Sequence, residues 1–531
     1  MDEVDIAAED LATCIRVLES FHSNLEAFKA PRFKSLRRAV LPLCEDVRSR
    51  LFHGKDVATY EQSKQIKQER KRKAAQAAAL DKQFINNTKL RVERLNALDS
   101  LTTAAPMLPQ IPDGAVIADL VPEEEQEAPT LNGFRSCYVC KKRFDVLHHF
   151  YDQLCPTCAA LNFEKRLQTT DLTGCKALVT GARVKIGYHT ALKLLRAGAI
   201  VIATSRFPQD AAIRYSKESD YDNTIHVYGL DLRDLAGAES FMNNIESTFG
   251  SLEILINNAT QTIRRPTHYY QHLLANERRA NEDIPAAIRD VLRGNSSFQQ
   301  SLTTSQNHLA LTHSEDPLTL SKPATTSKSA EMSQLPLTKD DQELAESERA
   351  ALYPTEQYDT NMQQVDLRKT NSWKLKIDQV ESPELAEVFA INTLAPFILN
   401  KRAILLFEKS DKPYKFIVNV SAMEGKFYRY KTPHHPHTNM AKAAVNMMTR
   451  TCAEELKSRK IFMNSVDTGW INDENPREKA QAIAVEHNFQ TPLDEIDAAA
   501  RILDPIFGGF QLDPVSFPAG EFFKDYQRSE W

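Results

Sequence analysis

From about residue 170 onward the chain predicts an α/β fold: a doubly wound parallel sheet with helices on both faces, preceded by a helical region and a small cysteine module. Three observations carry this expectation. An apolar strand runs through a glycine turn into a helix and a second strand within residues 177–203. Further apolar runs of strand length recur downstream, at 225–228, 252–256 and 416–420, separated by stretches that suit helices. Two tight cysteine pairs stand ahead of the first strand.

The totals bound the rest. A chain of 531 residues is too long for one compact core, so two or three folded units are expected. With 66 basic against 71 acidic residues and a net charge of −5, no global attraction to nucleic acid or membrane is expected. The first residues are acidic and lack the apolar run of a signal peptide, and no run of about 18 apolar residues announces a membrane span. Eight cysteines are too sparse for a disulfide scaffold. The expected setting is therefore a reducing compartment, cytoplasm or nucleus.

Residues 1–100 read as helical. Leu11, Ile15, Leu18, Leu25 and Phe28 recur at the spacing of an apolar helix face. Between Tyr60 and Leu98 there is neither Gly nor Pro, which predicts one long helix. Lys64, Lys67, Arg70, Lys71, Arg72, Lys73 and Lys82 make it basic. Contact with nucleic acid is left open but not favoured, because no aromatic side chains interleave the charges to stack on bases. Five prolines and an acidic run mark 101–130 as a linker. The cysteine module occupies 131–168 and the α/β domain 170–531. Within that domain, 264–380 is a long insertion, rich in Ser, Thr, Gln and Pro over 296–345, and is expected to be largely disordered.

Cys137-x-x-Cys140 and Cys155-x-x-Cys158 are separated by a 14-residue spacer. Each turn can present two thiolates to one ion, and four sulfurs complete a tetrahedral shell. A structural zinc is expected there, with Phe144, Phe150 and Tyr151 as its small core. His148 and His149 would find no vacant position.

The glycine turn Thr180-Gly181-Ala-Arg183-Val-Lys185-Ile186-Gly187, between strand and helix, is the arrangement that sets a dinucleotide pyrophosphate on a helix N-terminus. At the exit of the second strand stand Ser205-Arg206 and no acidic residue. A carboxylate there would bond the ribose hydroxyls of NAD, whereas arginine suits the extra phosphate of NADP. NADP(H) is therefore preferred over NAD(H), with Arg206 as the chief cation and Arg183 as a second.

From about Leu172 to the C-terminus the sequence resembles the short-chain dehydrogenase/reductase family, with its motifs in the family's order. Gly181, Ile186 and Gly187 match the cofactor loop. Asp231-Leu232 matches the pair that borders the adenine. Asn257-Asn258-Ala259 matches the Asn-Asn-Ala-Gly motif, with Thr260 in the glycine's place. Asn392 matches the helical asparagine of the proton relay, and Ser421 the catalytic serine. Lys442 matches the lysine of the Tyr-x-x-x-Lys motif, which also bonds the nicotinamide ribose. Asp467-Thr468-Gly469 lies where Pro-Gly is usual. The resemblance implies a Rossmann domain and alcohol–carbonyl chemistry on a small-molecule substrate of unknown identity.

Three departures limit that implication. Lys185 takes the place of the middle glycine of the turn. The insertion borders the mouth of the site. Thr438 stands where the catalytic tyrosine belongs, and an aliphatic hydroxyl has far too high a pKa to act as a base near neutrality. Tyr428, Tyr430, His434, His435 and His437 are alternative proton carriers, each read as a loop residue first, and Glu424 is read as a surface carboxylate. Two readings follow: an NADP(H)-binding oxidoreductase with altered chemistry, or a catalytically silent nucleotide-binding scaffold whose zinc module and helices meet protein partners. Oligomerisation is left open.

Overall fold

A computed structural model describes residues 6–103, 128–218, 224–279, 283–310, 328–428, 430–472, 474–478, 486, 488–511 and 517–531. The linker expectation for 101–130 falls almost wholly outside them. The chain divides into two compact units, Met1–Asp81 and Lys82–Trp531.

The first unit is helical, with Ala8–His22, Lys34–Asp46 and most of Val57–Asn86. Its apolar stripe is not buried within the unit: Leu11, Ile15, Leu18 and Leu25 are all exposed. Phe21 instead packs edge-on against Phe28 and Phe33. The basic residues of Val57–Asn86 lie on exposed positions.

The single long helix expected between 60 and 98 is two helices, Val57–Asn86 and Lys89–Thr103. Tertiary pairing overrides propensity at the break. The backbone amides of Lys89 and Leu90 donate to the carbonyls of His149 and Phe150, so the end of the helical region is bound into the cysteine module. A buried ion pair, Arg91 to Asp152 at 2.9 Å, repeats that link.

The cysteine module is a hairpin followed by a helix. Strands β1 (Thr130–Ser136) and β2 (Arg143–Val146) pair antiparallel around the first cysteine turn. Cys155 precedes the helix Pro156–Leu167, whose first turn holds Cys158.

The α/β domain holds one eight-stranded sheet. Its strands are β3 (Lys176–Val179), β4 (Ile200–Ser205), β5 (Ile225–Gly229), β6 (Ile254–Asn257), β7 (Lys415–Ser421), β8 (Ile461–Asp467), β9 (Phe522–Lys524) and β10 (Gln527–Ser529). The order is β10-β9-β8-β7-β6-β3-β4-β5, parallel throughout except for β10. The chain winds outward from β3 to β5 and then crosses back to β6, which places the topological switch point between β3 and β6.

Alternation along the strands builds two cores. Ala177, Val179, Val201, Phe416 and Val418 face the helices Lys185–Arg196 and Glu495–Gln511. Leu178, Ile202, Leu255, Ile417 and Met463 face Leu235–Phe249 and Ala395–Phe407. The stretch Ser382–Phe407 has the length and apolarity to cross a membrane, but 44% of its most apolar window is buried, and Leu399, Ala403, Leu406 and Phe407 belong to the second core.

The insertion is not largely disordered among its described residues. Phe298 and Ala330 are fully buried, and Tyr269, Tyr270, Leu273 and Tyr353 form a satellite core with Phe207. Ionic links substitute for the missing apolar periodicity. Arg264 bridges Asp341 at 2.5 Å and Glu387 at 2.6 Å, and Glu387 also holds Arg233. The residues 311–327, central to the Ser/Thr/Gln/Pro-rich stretch, lie outside the described residues.

Candidate active site

At the switch point, the C-terminal ends of seven parallel strands, β3 to β9, surround a cavity of about 730 Å³. The glycine turn forms one wall, and its backbone explains its composition. Gly181 has φ +66°, and a β-carbon there would stand 2.9 Å from Ala259. At Gly187 a β-carbon would fall 2.3 Å from the Gly181 carbonyl and 2.5 Å from the Asn258 amide. Lys185, in the place of the middle glycine, retains the left-handed backbone with φ +55° and opens the helix Lys185–Arg196. A backbone that close to a helix N-terminus is a cradle for phosphate.

The turn is tied to β6 by Thr180, whose Oγ1 accepts the amides of Asn258 and Ala259, both at 3.0 Å. Asn258 Nδ2 donates to the Thr180 carbonyl at 3.0 Å. Asn257, expected to bind cofactor, does not line the cavity. Its side chain turns into the sheet's core and donates to Asn400 and Asn419, both at 2.8 Å. Strand alternation decides this, since consecutive residues point to opposite sides.

Ile186, Leu232, Asp231 and Ala259 line the cavity as expected. Asp231 is held by Arg233 at 2.7 Å. Arg183 also lines it but is committed elsewhere: it pairs with Asp210 at 2.7 Å and bonds Gln363. Burial would raise the Asp210 carboxyl, but Arg183 and Arg214 hold it down to about 2. The second phosphate-binding candidate is thus already partnered. Arg206 differs. It donates to the Tyr270 hydroxyl at 2.7 Å and lies over the Tyr270 ring. Among the described residues it makes no ion pair. The insertion supplies that tyrosine, a contribution with no signature in sequence.

On the opposite wall stand Ser421, Thr438 and Lys442, as expected. Ser421 Oγ donates to Asn446 Oδ1 at 2.6 Å. Lys442 Nζ donates to the Val420 carbonyl at 2.8 Å, and burial pulls its ammonium down to about 8, against the charges of Glu424 and Asp467. The buried Thr438 Oγ1 finds no hydrogen-bond partner among the described residues. Asn392 sits in a π-turn, Ala390–Leu394, and does not line the cavity. Its side chain locks the chain after β6: Oδ1 accepts the Gln261 amide at 2.7 Å and Nδ2 donates to the Gln261 carbonyl at 3.1 Å.

None of the alternative proton carriers lines the cavity. Tyr428 and Tyr430 are exposed. His434 and His435 bond the carbonyls of Lys374 and Trp373, and His437 is buried 3.6 Å from Glu384. Glu424, read from sequence as a surface group, does line it. Burial, with a further push from Asp467, raises its carboxyl above the ordinary range, while Lys431 and Lys442 oppose. Tyr138, from the first cysteine turn, and Lys524 of β9 also line the cavity. Only the fold brings these three to the site.

The four cysteine sulfurs lie within 4.8 Å of one another, and all are free thiols. A zinc ion with Zn–S bonds of about 2.3 Å sets tetrahedral sulfurs about 3.8 Å apart. Cys140 and Cys155 stand at 3.7 Å. The backbone amide of Lys142 draws the Cys140 thiol down to about 7. The arrangement is compatible with a metal ion. His148 and His149 lie outside the cluster.

A glycine cradle at a helix N-terminus, at the switch point of a parallel sheet and before a cavity of this size, defines an NAD(P)-binding fold. The short chain dehydrogenase family matches residues 176–276, and the Enoyl-(Acyl carrier protein) reductase family matches residues 369–500. Within the α/β domain the chain is thus similar to short-chain dehydrogenase/reductase proteins over these two segments. An uncharacterized protein, R665, of Acanthamoeba polyphaga mimivirus is 29% identical over 388 residues, 70% of this chain and 71% of that protein. The (+)-neomenthol dehydrogenase of Capsicum annuum is 41% identical over 87 residues, 16% of this chain and 28% of that enzyme. A fatty acyl-CoA reductase of Mycobacterium tuberculosis is 31% identical over 100 residues, 19% of this chain and 34% of that enzyme. The chain thus spans only about a third or less of these two enzymes. Among solved structures, the Pseudomonas aeruginosa RhlG/NADP active-site complex is 17% identical with a TM-score of 0.38, covering 66% of this chain and 94% of that one.

Proposed function

We propose that this protein binds NADP(H) in the cavity and is an oxidoreductase of an alcohol–carbonyl pair whose proton donor is not residue 438. One observation carries the cofactor reading: Arg206 stands at the exit of β4, lines the cavity and makes no ion pair among the described residues. A guanidinium so placed suits a ribose phosphate and gives a bare ribose nothing equivalent. The cofactor, when bound, supplies or accepts hydride. Lys442 places a positive charge beside Ser421 in the opposite wall, and Ser421 offers a hydroxyl to orient a carbonyl oxygen. Thr438 cannot exchange the proton, for the pKa reason given above. Glu424, a cavity-lining carboxyl that burial raises above the ordinary range, is the proposed proton donor in this wall. The four cysteines hold one structural zinc, which suits a reducing compartment, cytoplasm or nucleus.

A second reading, the silent nucleotide-binding scaffold, draws support from Ser421, whose proton is directed to Asn446. Titration of cofactor fluorescence with NADPH and NADH tests the first claim, and equal affinities would defeat it. Turnover of aldehydes, ketones and quinones with NADPH separates the two readings. An enzyme loses that turnover with Glu424→Gln and with Ser421→Ala. A scaffold shows none in the wild type, and Ser421→Ala leaves its NADPH affinity unchanged.

A further inference from the structure

The cysteine module was expected to hold a structural zinc over a small core of Phe144, Phe150 and Tyr151. Its first knuckle also forms part of the nucleotide cavity. Tyr138, between Cys137 and Cys140, lines the cavity, and its hydroxyl accepts the backbone amide of Trp470 at 2.9 Å. The same hydroxyl would stand 3.6 Å from a β-carbon at Gly469. Trp470, Ile471 and Asn472 continue that wall. Behind it the two structures share one core, in which Cys137, Phe150 and Tyr151 pack with Ile471, Leu493 and Ala498. Buried polar links fasten the join: Tyr151 donates to Asp497 at 2.5 Å, and Arg166 pairs with Asp494 at 2.6 Å and with Asp497 at 3.1 Å.

We propose that Tyr138 is a positioning residue of the dinucleotide site, and that metal occupancy of the four cysteines sets dinucleotide affinity through it. The reason is mechanical. Tyr138 lies on the tight turn whose two flanking residues toward either side, Cys137 and Cys140, would be clamped by the ion. Its amide donates to the Gln153 carbonyl at 2.8 Å and its carbonyl accepts Lys141 Nζ, both within the module, so Tyr138 moves with the cysteine turns. With the ion in place the phenol has one position, and the 469–472 wall is held through the Trp470 amide. Without it, four thiols that need not stay together leave the turn free to shift, and ordering the wall then falls to the dinucleotide. Binding that must order its own site is weaker. Coupling of this kind is reciprocal, so dinucleotide must tighten metal binding by the same factor.

The inference rests on the reading that the cavity takes NADP(H), and the experiment separates the two. The full chain is prepared zinc-loaded and, after chelation, zinc-stripped. NADPH affinity is read by fluorescence titration, and exchange of the Trp470 amide by hydrogen–deuterium exchange. Stripping is expected to weaken NADPH roughly ten-fold and to accelerate exchange at Trp470. Tyr138→Phe, which keeps all four cysteines, is expected to bind zinc normally and to weaken NADPH about five-fold, through loss of the acceptor for the Trp470 amide. Equal NADPH affinity with and without zinc, failure of the cysteines to bind zinc, or Tyr138→Phe behaving as wild type would each overturn it. Should stripping unfold the chain, Tyr138→Phe decides alone. Should the zinc-loaded protein fail to bind NADPH, the cofactor reading falls, and Trp470 exchange then decides the coupling: acceleration on stripping upholds it and an unchanged rate overturns it.

Discussion

Lys185→Gly separates two opposite effects at one residue. Lys185 holds φ +55°, a conformation that costs a residue with a β-carbon about 1–2 kcal/mol. Glycine removes that strain but adds about 0.5–1 kcal/mol of conformational freedom to the unfolded chain. The lysine is also a cation in the first turn of Lys185–Arg196, where the helix dipole disfavours it by about 0.3–1 kcal/mol. The balance is a gain of about 1 kcal/mol in stability. Dinucleotide binding should move the other way. Lys185 lines the cavity beside the phosphate cradle, and losing a charge-assisted hydrogen bond of about 1.5–3 kcal/mol weakens NADPH by roughly 10- to 150-fold. Urea unfolding without nucleotide reads the first effect, and NADPH titration reads the second. A lower unfolding midpoint would refute the strain. Tighter NADPH binding would show that the lysine obstructs the pyrophosphate rather than pairing with it.

Gly187→Ala places a methyl 2.3 Å from the Gly181 carbonyl; backbone must move, and a loss of about 1–3 kcal/mol together with NADPH binding is expected from melting and titration. Arg264→Met leaves Asp341 and Glu387 without the guanidinium that joins them. A loss of about 3–5 kcal/mol in chemical denaturation would show the insertion to be integral to the fold, and a neutral result would show it to be an appendage. The pH dependence of NADPH affinity follows from Lys442, whose pKa of about 8 lies below the ordinary 10.4 or so. An anionic ligand favours the ammonium, so affinity should be full below pH 8 and fall as pH rises through it, and Lys442→Met should bind weakly with no such fall.

Folding stability has the opposite sign at Lys442. Burial disfavours the ammonium in the folded chain, so the penalty is full below about pH 8 and is relieved as pH rises from there toward the unfolded value. The two pH dependences are therefore separable by measuring melting without nucleotide.

Features that are local and periodic were readable from the order of residues. The strands from β3 to β7 stood in alternating or continuous apolar runs, because a buried parallel sheet demands them at every position. Gly181 and Gly187 were legible because only a missing β-carbon permits the approaches found there. The paired cysteines were legible because two such closely spaced pairs can bring four sulfurs together, as they do here. Ser421, Thr438 and Lys442 could be placed because the order of motifs tracks the order of strands. Side-chain direction and long-range pairing were decided by the tertiary structure alone. Asn257 and Asn258 are neighbours in sequence, yet only the second reaches the cavity. Arg183 and Arg206 are both arginines beside the turn, yet Asp210 claims the first. Glu424 resembled a surface carboxylate, yet the fold sets it half-buried in the cavity wall, and Tyr138 reached the site from outside the α/β domain. The insertion carried no periodic signal because it is held by buried ion pairs such as Arg264 with Asp341 and Glu387. Those links join residues tens of positions apart, and local pattern holds no record of which distant charges the fold will bring together.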